Sequence, residues 1–448
     1  SSLTLSSIGD TASIVATVKD PAGSVIEGAT VTWIATTPSV ATVTATGLVV
    51  AVSNGTGVII AVSGSGSAAA TVTVAQAASS VELSPTTVSF TSFADTATIT
   101  PTVRDASGTV IAAATVTWTT SSASIATVSS AGLVTARGNG TATMTAVSGL
   151  ASATASATIN QVPNSVTLSP TTLSLVSLGD TATLTALVKD ANDSTIAGPT
   201  VTWASSDTTV ATVSAAGLVT AASNGTATII ATSGSVNAAT SMTVGQVTSS
   251  VELSPTSLIL SSIDDTATIV ATVRDPGGSV VPGAPVTWIA TTPTVATVTA
   301  SGLVTAVGNG TGVIIAVSGS GTAAAVVTVA QAASSVELSP TSLSFTSLAD
   351  TATITPTVKD AGGTVIASPT VTWATSNSFI ATVSSGGLVT AVGNGTATIT
   401  ATSGSASGSA SVTIAQVASS VTLSPTSLSF ASLADTAPLT ATVKDAGG

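Results

Sequence analysis

The chain has 448 residues, with 19 Asp and Glu against 7 Lys and Arg. At a net charge of −12 it offers no basic stripe of the kind that phosphate backbones require, so no nucleic acid partner is expected. Histidine, cysteine and tyrosine are absent, which removes disulfides, the usual zinc sites and the common triads; no enzyme activity, cofactor or metal site is expected.

Mean hydropathy is positive, at +0.65. The longest apolar runs, such as 57–62 and 322–327, are far shorter than the roughly 18–20 residues of a spanning helix. At 2% aromatic residues the chain also lacks the girdles of a membrane barrel, so no membrane-spanning segment is expected in this window. The apolar excess is Ala and Val alternating with Thr and Ser, which suits small half-buried sheets.

A fixed period organises the sequence. Trp33, Trp118, Trp203, Trp288 and Trp373 are all the tryptophans present, each 85 residues from the next. Asp10, Asp95, Asp180, Asp265, Asp350 and Asp435 keep the same spacing, as do Lys19, Arg104, Lys189, Arg274, Lys359 and Lys444. The period divides the chain into a unit lacking its first strand (1–78), four complete units (79–163, 164–248, 249–333 and 334–418) and the opening strands of another (419–448). Both ends fall inside a repeat, as in a window cut from a longer chain.

The second unit serves as the type. Residues 81–83 and 88–90 read as one strand interrupted at Ser84-Pro85-Thr86, where proline stops ladder pairing. Residues 95–104 alternate as Ala97, Ile99, Pro101 and Val103 against threonines and read as the next strand. Asp105-Ala106-Ser107-Gly108 is a turn. The Trp118 strand follows, with Val116 and Trp118 on its apolar face. Two short strands, 125–129 and 133–136, hinge at Ala131-Gly132. Asn139-Gly140 carries the dipeptide of a tight hairpin, opening 141–148, and 151–159 closes the unit. About seven strands, with turn signals every 8–12 residues and no helical period, predict an all-β fold of tandem sandwiches.

Residues 125–136, followed by Asn139-Gly140-Thr141-Ala142-Thr143, resemble the signature of the bacterial immunoglobulin-like group 2 domain, whose fold is similar to the repeats of invasin and intimin adhesins. The pattern returns at 40–56, 210–226, 295–311 and 380–396. The resemblance implies tandem immunoglobulin-like β-sandwiches in a bacterial protein that is extracellular or on the cell surface, and it implies no single ligand.

Linkers of five or six residues, such as 75–80 and 161–165, are too short for free tumbling, so neighbouring units should touch. Five units at about 35–40 Å each predict a stiff rod of roughly 150–200 Å. A second regularity lies above the first: residues 54–66 and 309–321 are identical, offset by 255, or three repeats. No unit has gained or lost a residue, although 107–114 and 192–199 have diverged, so loop length is either constrained by contact or preserved by recent duplication.

Each recurrent residue class has a structural and a functional reading. The Trp33, Trp118, Trp203, Trp288 and Trp373 class reads as the core pin of the sandwich, the alternative being a row of sugar-stacking platforms. Asn54, Asn139, Asn224, Asn309 and Asn394 each begin Asn-Gly-Thr, a formal glycan acceptor that the hairpin requirement explains without glycans. The Asp classes read as turn caps rather than calcium ligands, because no junction gathers several carboxylates. With only 6% charged residues the faces repel neighbours weakly, which favours lateral association. The sequence therefore predicts a structural protein, an extracellular fibre, filament or stalk that self-associates. The alternative is a cell-surface adhesin whose repeats space or present a tip that binds glycans or a host surface.

Overall fold

The computed structural model describes residues 1–448, is all-β, and contains no helix. It forms two compact units, one of Ser1–Ser174 with Thr181–Thr243 and the other of Leu175–Asp180 with Val244–Gly448. The tandem sandwich fold expected from the sequence is present in both.

In the first unit, the repeat beginning at Ser79 builds one four-stranded sheet in the order Thr117–Thr120, Gly140–Ser148, Ala151–Ile159, Thr87–Phe90. The opposite layer is Thr96–Thr98 with Leu133–Ala136 and Ala126–Val128, joined through Ile99 to the pair Thr100–Arg104 with Ser80–Ser84. Pro85 lies where the first strand changes sheets: Ser80–Ser84 runs antiparallel to Thr100–Arg104, and Thr87–Phe90 runs parallel to 156–159. Side chains alternate along a strand, so a strand that crosses the core must shift its inward set by an odd number of residues. Val81 and Leu83 face the core before the crossing and Val88 and Phe90 after it, a step of five from 83 to 88.

The segment 95–104 is not one strand. It breaks at fully buried Ile99, whose N–H donates to the Gly132 carbonyl, although Ala97, Ile99 and Val103 keep one parity and one layer. Counting both broken strands as wholes, the nine segments amount to the expected seven. The core is small-residue packing between the layers: Ile99, Ala126, Val134, Met144, Ala146 and Ala157 are buried. Trp118 is half-buried and rests against this cluster from the sheet's inner face. Trp33, Trp203, Trp288 and Trp373 occupy the same place against their own clusters.

The hairpin reading of Asn54, Asn139, Asn224, Asn309 and Asn394 is corrected. Asn139-Gly140 joins Leu133–Ala136 in one layer to Gly140–Ser148 in the other, and these two strands are not paired. The tight turn lies instead at Gly149-Leu150, between Gly140–Ser148 and Ala151–Ile159. Glycine is needed at 140 for a different reason: φ is +131°, and a Cβ there would press on the Ile125 side chain at 3.0 Å. The dipeptide rule presumes two strands of one ladder, and here the chain changes layers.

In the second unit the strand order recurs in the repeats beginning at 249 and 334, with sheets such as Thr287–Ala290, Gly310–Ser318, Gly321–Val329, Ser257–Leu260. The last segment contributes a two-stranded pair, Ser420–Ser424 with Thr440–Lys444. Three of the six recurrent cations pair across the ladder within their own repeat: Arg104 with Glu82 at 3.6 Å, Arg274 with Glu252 at 3.2 Å and Lys359 with Glu337 at 2.8 Å. These exposed pairs add little stability.

Candidate functional site: a carboxylate keystone between repeats

Within the first unit, the linker after the strand Gly66–Val74 is hydrogen-bonded along its length. Ala75 N–H donates to Leu5 O, Gln76 N–H to Asn54 Oδ1, Ala77 N–H to Ser6 O and Ser79 N–H to Arg104 O. The next linker repeats the pattern from Asn160, Gln161, Val162 and Asn164. Its remaining position, equivalent to Ala78, is Pro163, a residue with no N–H to satisfy.

The turn that starts at Asp105 docks against the 75–80 linker and against the preceding repeat's loop at residues 6–10. Asp105 Oδ1 caps its own turn, accepting from Ser107 N–H (3.1 Å) and Thr109 N–H (2.9 Å). Its Oδ2 accepts from Ile8 N–H (2.9 Å) and Gln76 Nε2 (2.8 Å) across the junction. Ser7 Oγ accepts from Ala106 N–H at 3.2 Å. Asn54 completes the chain of bonds by donating from Nδ2 to Gln76 Oε1 at 2.8 Å. Asp105 and Ser7 are both buried.

The arrangement recurs. Asp190 accepts from Phe93 N–H, Gln161 Nε2, Asn192 N–H and Ser194 N–H at 2.8–3.0 Å. In the second unit Asp275 accepts from Leu178 N–H and Gln246 Nε2, Asp360 from Ile263 N–H and Gln331 Nε2, and Asp445 from Leu348 N–H and Gln416 Nε2. One junction has an additional clamp: Asn192 Nδ2 donates to Phe93 O and Asp95 Oδ1, both at 2.8 Å. A residue from a stretch that looked freely variable thus holds the preceding repeat.

The sequence reading identified Asp105 as a turn start and missed its second role. Asp95 holds the loop that presents Ser92 and Phe93, its Oδ2 accepting from Ser92 N–H at 3.0 Å, so the two Asp classes work in series. The missed glutamines had a signal as clear as the tryptophans: Gln76, Gln161, Gln246, Gln331 and Gln416 are all the glutamines in the chain, at the same 85-residue spacing. Among the Asn-Gly asparagines, Asn54, Asn139, Asn309 and Asn394 bond to the Gln at their own junction.

Burial alone would raise the Asp190 carboxyl. The hydrogen bonds from Gln161 and from the Phe93, Ser194 and Asn192 amides outweigh it, so the net shift is below the ordinary value of 3.8, as it also is at Asp105, Asp275, Asp360 and Asp445. A depressed folded value means that the unfolded chain binds the proton more readily. The stabilisation is therefore complete above about pH 4 and is lost as pH falls through the folded values. Without histidine or cysteine, little else titrates between pH 5 and 8. Thermal melting followed by circular dichroism should be flat across pH 5–8 and fall steeply below pH 4; a comparable loss between pH 5 and 7 would contradict this account.

A family model described as bacterial Ig-like domain (group 2) matches residues 7–74, 77–159, 163–244 and 332–414. The repeat beginning at 249 lies outside these matches and has the same strand order. No curated protein matches the chain. Among solved structures, surface layer protein SbsC domains 1–6 is similar at 18% identity over 82% of this chain and 58% of that one, with a TM-score of 0.22. The S-layer protein rSbsC(31-844) is similar at 18% identity over 91% and 64%, TM-score 0.23, so this chain spans about three fifths of both surface-layer chains. Invasin, a bacterial integrin-binding protein, is similar at 16% identity over 75% of this chain and 78% of that one, TM-score 0.32.

Proposed function

This chain belongs to the bacterial Ig-like domain (group 2) family, and from that premise we propose that it is a non-enzymatic structural protein, an extracellular or cell-surface fibre, filament subunit or stalk. On this reading the 85-residue repeats act as separate domains bounded as the sequence period suggests, and the work they do is geometric. The observation that carries the proposal is the recurrent keystone: a buried carboxylate from one repeat accepts hydrogen bonds from the loop and the linker glutamine of the repeat before it. A linker whose amides are already bonded does not swing freely, so the junctions convert a sequence repeat into a stiff element. The tryptophans then serve as packing for each sandwich, and the Asn-Gly asparagines as part of the junction rather than as glycan carriers.

Electron microscopy of the purified chain at low micromolar concentration tests the reading. Ordered filaments or sheaths with a regular rise are expected. Isolated flexible rods, with neither end-to-end nor lateral contact, would overturn the self-associating form and leave the repeats as the spacer of an adhesin.

A further inference from the structure

The charged residues of this acidic chain are excluded from one face. None of the strands of the four-stranded sheets contains Asp, Glu, Lys or Arg in any repeat. What the outer side of that sheet carries differs between repeats. In the second repeat a cross-strand row reads Thr119, Thr145, Thr154, and in the fifth Ala374, Thr400, Ser409. In the first the same row is Ile34, Ile60, Ala69, and in the fourth Ile289, Ile315, Ala324. Ile34 is 47% exposed and Ile289 46%, and in the fourth repeat Val326 (44%) and Ile259 (81%) extend the apolar surface over the next strands.

Single exposed aliphatic residues are ordinary, but aligned rows at one lattice position in two repeats form a surface. We infer that these two apolar sheet faces are contact sites for a second copy of this chain, packed sheet against sheet. The inference rests on the self-associating reading proposed above and names its surface.

Two observations select a second copy as the occupant. A chain of net charge −12 repels its own copies wherever charged faces meet, and the four-stranded sheet is the face on which no like charges oppose one another. The central residues of the two rows, Ile60 and Ile315, also lie 255 residues apart at matching positions of the identical segments 54–66 and 309–321, so a second copy carries the same pair at the same spacing along its sequence. Engaging both makes the second contact intramolecular and strengthens the whole. Ile, Val, Ala and Thr are side chains of the size that interdigitates between facing sheets.

The test compares the full chain with the double variant Ile60→Lys/Ile315→Lys and with Thr145→Lys, which places the same charge at the equivalent position of a hydroxyl face. Sedimentation equilibrium gives the association constant, and circular dichroism checks folding. Wild type and Thr145→Lys should associate alike, and the double variant about tenfold or more weaker, because it buries an unpaired charge. A second double variant, Ile60→Thr/Ile315→Thr, installs the residue that this lattice position already holds at Thr145 and Thr400, so it keeps the fold and should still weaken association severalfold. Association unchanged in both double variants, or weakened equally by Thr145→Lys, overturns the inference while the self-associating reading stands. Monomeric wild type overturns both. Isoleucine-dependent binding to phosphatidylcholine vesicles by a chain that stays monomeric assigns the face to lipid and likewise overturns the inference.

Discussion

Replacing Asp190 with alanine is expected to loosen the junction that it closes by about 3 kcal/mol, since it strands one buried donor and three part-buried ones, at a cost of up to about 1–3 kcal/mol each before water reaches them. The donors are the Phe93, Asn192 and Ser194 amides and Gln161 Nε2. A single melting temperature reports poorly on a chain of tandem sandwiches, so the informative measurement is local. Hydrogen exchange at the Phe93 amide should accelerate about a hundredfold, and limited proteolysis should find residues 160–164 in the variant first. Asp207 is the comparison: it is a half-buried cap whose carboxylate serves its own loop, accepting from Thr209 through N–H and Oγ1, so Asp207→Ala should disturb that loop and leave Phe93 protected. Unchanged exchange at Phe93 in Asp190→Ala would show that the keystone does not hold the repeats together.

A second large effect is expected at Gly132, where alanine should cost about 3 kcal/mol. Its φ is +79°, a conformation that an L side chain adopts at a penalty of about 1–2 kcal/mol. The added Cβ would also run into the carbonyl oxygen of Ile99 and lie 3.3 Å from Trp118 Cζ2. Neither neighbour can retreat: Ile99 is fully buried, its N–H is bonded to Gly132 O, and Trp118 is braced by the core cluster. Gly108 separates the two contributions. It has φ +81° with nothing within 4 Å of an added methyl, so Gly108→Ala should carry the backbone penalty alone. Differential scanning calorimetry of the two variants should show the Gly132 change lowering the first transition by clearly more; equal shifts would mean that the close approach to Ile99 is absorbed without strain.

The strand segments were legible because each rests on a local alternation that survives in any context. Val116 and Trp118 set against Thr117 and Thr119 already describe a half-buried strand. Which sheet a segment joins is not local. The step from Leu83 to Val88 betrays a change of layer only once the two partners, Thr100–Arg104 and Ala151–Ile159, are known. Asn139-Gly140 misled for the same reason: the dipeptide signals the backbone's left-handed freedom but not which strands it connects. The keystone lay further out of reach, because Asp105 meets Ile8 at a separation of 97 residues, one period plus twelve. Turn chemistry accounts for Oδ1 of Asp105 and says nothing of Oδ2. The lone glutamine class was the available clue, since a glutamine found only at every 85th position in a chain of hydroxyls and methyls has a task that surface solvation does not explain.

The keystone has a direction. Each complete repeat presents an acceptor carboxylate near its start and offers a serine loop and a linker glutamine to its successor, so Asp190 could be exchanged for Asp105 or Asp360 and meet the same donors. Any stretch of 85 residues, cut at equivalent points, can accordingly be removed or inserted and leave every carboxylate matched. A deletion that is not a whole multiple of 85 residues brings together ends that do not fit. Copy number is therefore the one dimension along which this architecture changes without redesign: adding or removing whole repeats lengthens or shortens the protein in quanta, and each product inherits matched joints.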